Sequence, residues 1–163
     1  MVGEVKWMAR WVVSAAAMLG LTLALASCAS PADVSPQSAR EKLTSTIEES
    51  AAILGELDWA EVAPADGGNC GDQPGERVNY NYWYNAPPQP QRDHEADARK
   101  MADHWTALGM DVRIVESPSH VVYATGGPVA GLSFSTAPGN YYIAGTSLCV
   151  PGDADEIRKQ DNG

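Results

Sequence analysis

Positive charge is scarce in this sequence. Its 163 residues carry 11 Lys and Arg against 21 Asp and Glu, a formal net charge of −10. Such an acidic chain argues against a nucleic-acid partner and against electrostatic adhesion to anionic lipid. Patterns that carry chemistry are scarce as well. No Gly-x-Ser-x-Gly elbow presents a nucleophilic serine. Ser119 and His120 are merely adjacent, and a catalytic triad is defined by geometry rather than adjacency. Gly126-Gly127-Pro128 lacks the spacing of a phosphate loop and reads as a hairpin turn. A metal site needs three or four converging ligands. Asp97 and His104 fall on one side of a helix, with His94 about a turn from Asp97, but Met101 and Leu108 flank Asp97 on a face that should be core. That arrangement reads as a solvated helix edge. No catalytic residue, metal or cofactor is expected, and the chain reads as a non-enzyme.

A long apolar run is also missing. The uncharged stretch from Trp11 to Ala26 has 16 residues, short of the roughly 20 that span a bilayer. Lys6 and Arg10 precede it, and the small residues Ala26 and Ser27 follow. Positive start, apolar middle and small-residue end are the parts of a secretory signal, expected over residues 1–27. Its last residues and the next, Leu25-Ala26-Ser27-Cys28, resemble the bacterial lipobox. The resemblance implies a diacylglyceryl group on the Cys28 thiol and cleavage just before it. Two acyl chains anchor stably where one does not. The expected address is the outer face of the plasma membrane.

Residues beyond 27 number 136 and hold 9 Lys and Arg against 20 Asp and Glu. That length suits one domain. Residues 28–37, small and proline-containing, read as a lipidated cysteine and tether. The domain is expected over 38–150, with 151–163 a polar, frayed tail. Ser38 and Glu41 fit a capping box, and Leu43, Ile47, Ala51, Leu54 and Leu57 form a helical stripe. Trp59 opens a short strand. Residues 64–76, with Pro64, Pro74 and glycines on either side of Cys70, read as a loop. Val78, Tyr80, Tyr82 and Tyr84 then alternate with Asn79, Asn81, Trp83 and Asn85, the period of a two-faced strand. A second helix follows from Asp93 to Leu108, capped by Asp93 and closed by Gly109. Four further strands, over 112–116, 120–125, 130–135 and 141–149, are joined by short turns and therefore pair antiparallel. The predicted fold is α+β. It is a two-layer sandwich, a mainly antiparallel sheet of about five strands with two helices on one face.

The lipobox, the first helix, a loop cysteine, Arg77 before the aromatic alternation, the Trp105 to Val112 segment and the terminal Thr146-Ser147-Leu148-Cys149 together resemble small actinobacterial lipoproteins. The resemblance implies a cell with a single membrane and supplies no activity. If lipid occupies Cys28, Cys70 and Cys149 remain. Export puts them in an oxidising compartment, where a disulfide is expected; neither CxxC spacing nor a nearby His favours a redox or metal pair. The pairing would set the aromatic strand beside the last one.

The aromatic strand is the best candidate for a site. If its tyrosines face the core, Asn79, Asn81, Trp83 and Asn85 face out, and Tyr123, Tyr141 and Tyr142 could extend that surface. Trp offers a flat apolar plate, and Asn both donates and accepts. The expected function is a binding module for an envelope protein or glycan. The alternatives are a lipid-anchored immunity or inhibitor protein against a basic effector, and, less favoured, an envelope hydrolase.

Overall fold

Ser35, three residues before the expected start, opens the first helix, α1 (Pro36–Ala52). Its hydroxyl accepts from the Ser38 N–H at 3.1 Å, and Pro36 takes the first helical position, where its missing N–H is harmless. The computed structural model describes residues 33–137 and 139–161. The expected signal segment, Cys28 and the start of the tether lie outside the described residues.

After α1 come β1 (Ala60–Asn69), β2 (Arg77–Ala86), α2 (His94–Ala107), β3 (Asp111–Val115), β4 (Val121–Thr125), β5 (Gly131–Ala137), β6 (Asn140–Thr146), β7 (Val150–Pro151) and α3 (Ala154–Asp161). Every paired strand is antiparallel. The order across the sheet is β1-β2-β6-β5-β4-β3, with β7 continuing against the start of β2. The fold is α+β in two layers. Among the described residues the sheet has seven strands rather than about five, and there are three helices rather than two.

Three local differences account for this. β1 runs through the first six residues of what reads as a loop, because Pro64 and the Gly67-Gly68 pair imitate turn chemistry. An edge strand tolerates a proline, and two register shifts, between Glu61 and Ala63 and between Ala63 and Asp66, take up the irregularity. β7 is a two-residue bridge, Val78 opposite Val150. The expected frayed tail forms α3. Asp153 accepts from the N–H groups of Asp155 and Glu156, at 2.8 and 3.2 Å, and Asp161 pairs with Arg40 of α1 at 3.0 Å. Ala154 is buried and Ile157 packs on the core.

All the helices cover one side of the sheet. α1 lies on β2 and β6, α2 on β3, β4 and β5, and α3 on β1 and β2. Leu43 and Ile47 approach β6 so closely that a Cβ on Gly145 would sit 3.0 Å from each. Trp105 of α2 is fully buried, and its indole N–H donates to Ser50 of α1 at 2.9 Å, locking the two helices. Gly109, at φ +78, ends α2 in the left-handed region that glycine reaches without strain. A Cys70–Cys149 disulfide, Cα atoms 6.0 Å apart, ties the end of β1 to the residue before β7. β2 and β6 are neighbours, as the pairing suggested. No helix among the described residues is long and apolar enough to cross a membrane.

Candidate functional site

The alternation in β2 sorts its side chains between a covered and an open side. Val78, Tyr80 and Tyr82 are buried beneath the helices, and Tyr84 is half-buried. Asn81, Trp83 and Asn85 point the other way and are exposed, Trp83 by 57 %. Asn79 shares their face but is half-buried opposite Gly68 of the edge strand.

Register then extends the site beyond β2. Trp83 stands opposite Ala144, Ala144 opposite Ser133, Ser133 opposite Tyr123, and Tyr123 opposite Arg113. Side chains directly opposite one another share a face. One rung therefore crosses β2, β6, β5, β4 and β3 on the open side. It has an aromatic plate at Trp83, two small residues in the middle, and a second plate at Tyr123, which is 41 % exposed. Flanking rungs run Asn81, Thr146, Gly131 on one side and Asn85, Tyr142, Ser135 on the other. Small residues between large ones make a trough, and the space there is about 520 Å³. Asn81, Trp83 and Asn85 line it with Tyr123, Ser133, Tyr142 and Thr146. Asn79 does not. Tyr142 and Tyr123 belong to the trough, whereas Tyr141 is a core residue on the covered side.

Among the described residues no charged side chain lines the trough, although the chain carries a net charge of −10. Asn81 accepts from the Thr146 hydroxyl at 2.8 Å. The Arg113 guanidinium lies 4.7 Å from the centre of the Tyr123 ring, within cation–π range, and holds that ring from the neighbouring strand. The strands under the trough are paired on both sides, so their backbone groups are already satisfied and recognition falls to side chains.

The covered side holds polar chemistry of another kind. Asp97, which reads from sequence as part of a solvated helix edge, is buried. Both its oxygens accept from Arg92, at 2.6 and 2.7 Å, and the Tyr141 hydroxyl donates to it too. Burial pushes the Asp97 carboxyl up, but the Arg92 and Tyr141 hydrogen bonds and the Arg92 charge outweigh it and hold the group below the usual carboxylate range. Burial and the Asp97 bond raise the Tyr141 hydroxyl. Burial, with Glu61 nearby, pushes the Tyr82 hydroxyl up to about 12. His94 sits beside this cluster, its Nε2 2.8 Å from the Gln89 carbonyl oxygen and its ring 5.8 Å from that of Tyr141. These bonds close on one another and serve the fold.

The histidines do not converge on a common site. His104 is ten residues along α2 from His94, about 15 Å at helical rise. The backbone carbonyl of His120 accepts from Thr136. Among the described residues no three His, Cys, Asp or Glu side chains are grouped to hold a metal. No protein family matches this chain, and neither a curated protein nor a solved structure does.

Proposed function

We propose that the protein is a lipid-anchored extracytoplasmic binding module that meets an envelope protein or glycan through the open face of its sheet. The observation that carries this is Trp83, 57 % exposed at the wall of an uncharged trough, on a sheet whose other side carries the helices. A large exposed aromatic beside a concavity lined by amides and hydroxyls is a recognition surface in chemistry and shape. The lipobox at Cys28 supplies the address. α1 begins beside Gly152, where a Cβ would lie 2.9 Å from Pro36, so a tether from Cys28 enters at the sheet end where β2 starts. The alternative of an inhibitor for a basic effector draws on the overall charge, and the trough lining contributes none of it.

A photo-cross-linking amino acid placed at position 83 in living cells tests the surface, with the same group at the exposed helix-side Lys100 as control. Adducts at 83 and not at 100 are expected; equal yields at the two would sink the assignment. Fatty-acid labelling tests the anchor. Label should enter the native chain and be lost in Cys28→Ala.

A further inference from the structure

Two aromatic plates with hydroxyls and amides between them describe a particular ligand chemistry. The Cα atoms of Trp83 and Tyr123 are three strand spacings apart across the rung, about 14 Å. That separation exceeds a single sugar ring. The floor beneath is Ala144 and Ser133, small enough to let a flat ligand reach the sheet. Asn81 spends its carbonyl oxygen on Thr146, which leaves its NH2 group as a donor; Asn85, Ser133 and Tyr142 add groups that both donate and accept. The lining has no charge with which to fix a phosphate, carboxylate or ammonium group.

A peptide is a poorer match. Extended peptides gain affinity by adding to a sheet edge through main-chain hydrogen bonds. The trough lies over interior strands, whose edges are already paired. A purely apolar ligand is poorer still, because it would bury the Asn81, Asn85 and Ser133 polar groups without partners. A carbohydrate matches both halves. Its axial C–H face lies flat on an aromatic ring, and its equatorial hydroxyls meet amides and hydroxyls at the rim.

We infer that the trough binds a neutral oligosaccharide, one ring stacked on Trp83 and a later one on Tyr123, with the hydroxyls between them held by Asn81, Asn85 and Ser133. This rests on the open-face reading above and narrows its ligand to one class. Arg113 then has a supporting role: it occupies the Tyr123 ring from the β3 side and leaves the trough side free for the sugar.

The test is titration of the full chain, extracted in a detergent that contains no sugar. The probes are neutral oligomers of β-linked glucose, α-linked glucose and β-linked N-acetylglucosamine, each against its own mono- and disaccharide. Calorimetry or tryptophan fluorescence gives the readout. At least one series should saturate, with the longer oligomers tighter than the disaccharide. Trp83→Ala and Tyr123→Ala should each weaken binding about tenfold, the weight of one aromatic contact. Lys100→Ala should leave it unchanged. The melting temperature of each variant, measured alongside, shows that the domain is still folded. Saturation by none of the three series overturns the glycan assignment, as does binding that survives Trp83→Ala. Cross-linking of a protein at position 83 without any sugar binding would overturn the ligand class and leave the open-face reading standing. Failure of both experiments removes both.

Discussion

Two tryptophans show how differently the two sides of this sheet are used. Trp105 is fully buried between the helices and the sheet, and its indole N–H is satisfied by Ser50. Trp83 is 57 % exposed on the opposite side and stands beside a trough of about 520 Å³. On the covered side large residues pack against one another, and Arg92, Asp97 and Tyr141 close on each other. On the open side small residues separate large ones, and amides face out. The same side chain thus serves cohesion on one face and stands open to solvent on the other. Burial, more than residue type, tells the two roles apart.

The largest expected effect lies on the covered side. Trp105→Ala should cost about 3–5 kcal/mol, the usual range for deleting a buried aromatic. That is a large share of a small domain's stability. Ser50→Ala should cost less, about 1–3 kcal/mol, by leaving the indole N–H buried without an acceptor. Urea unfolding of the full chain measures both. If the serine variant lost as much as the tryptophan variant, the hydrogen bond and not the packing would be holding α1 to α2.

The acidic cluster on the same side should be intermediate and dependent on pH. Asp97→Asn removes the charge that two Arg92 bonds and the Tyr141 hydroxyl address. Hydrogen bonds to charged groups contribute about 1.5–3 kcal/mol, and a partly exposed Arg92 places the loss near the lower end. The sign of the pH effect follows from linkage. The folded carboxyl is held below its unfolded value of 3.8, so the unfolded chain binds the proton first. The contribution is complete above that value and disappears as pH falls through it toward the folded one. The gap between native and Asp97→Asn stabilities should therefore be wide at pH 7 and close progressively below about pH 4. A gap of constant width down to pH 3 would mean that packing, and not charge, carries the cluster.

The same contrast sets how much could be seen in advance. Features fixed by neighbours in sequence were legible: the alternation of β2, the Asp93 cap of α2, the glycine stop at Gly109. The outward set Asn81, Trp83 and Asn85 followed from period two alone. Features fixed by pairing were not. Tyr123 and Ser133 join the site only through the registers of β6, β5 and β4, and register is a non-local property. Asp97 looked like an exposed helix residue because its partner Tyr141 is 44 residues away. β1 was hidden by Pro64 and the Gly67-Gly68 pair, whose turn chemistry is overridden by ten residues of pairing potential against β2. α3 was hidden by its polarity, since only Ala154 and Ile157 touch the core and too short an element shows no stripe.

The smallest stability effect is the most informative about function. Trp83→Ala should change the free energy of unfolding by no more than about 0.5 kcal/mol, as exposed substitutions usually do. The residues opposite it are Ala144 and Ala63, whose methyls offer little to pack against. What the tryptophan gives the isolated fold is therefore mainly β-propensity, a modest quantity. An exposed tryptophan that stabilises little has no structural reason to be there, and its apolar surface is a solubility liability unless a ligand covers it. The comparison breaks if Trp83→Ala costs more than about 2 kcal/mol, the range of a buried side chain. Trp83 would then be covered in solution by part of the chain itself, and the trough would be closed. If unfolding is unmoved while sugar binding weakens, the two tryptophans divide stability and recognition between them, one on each side of a single sheet.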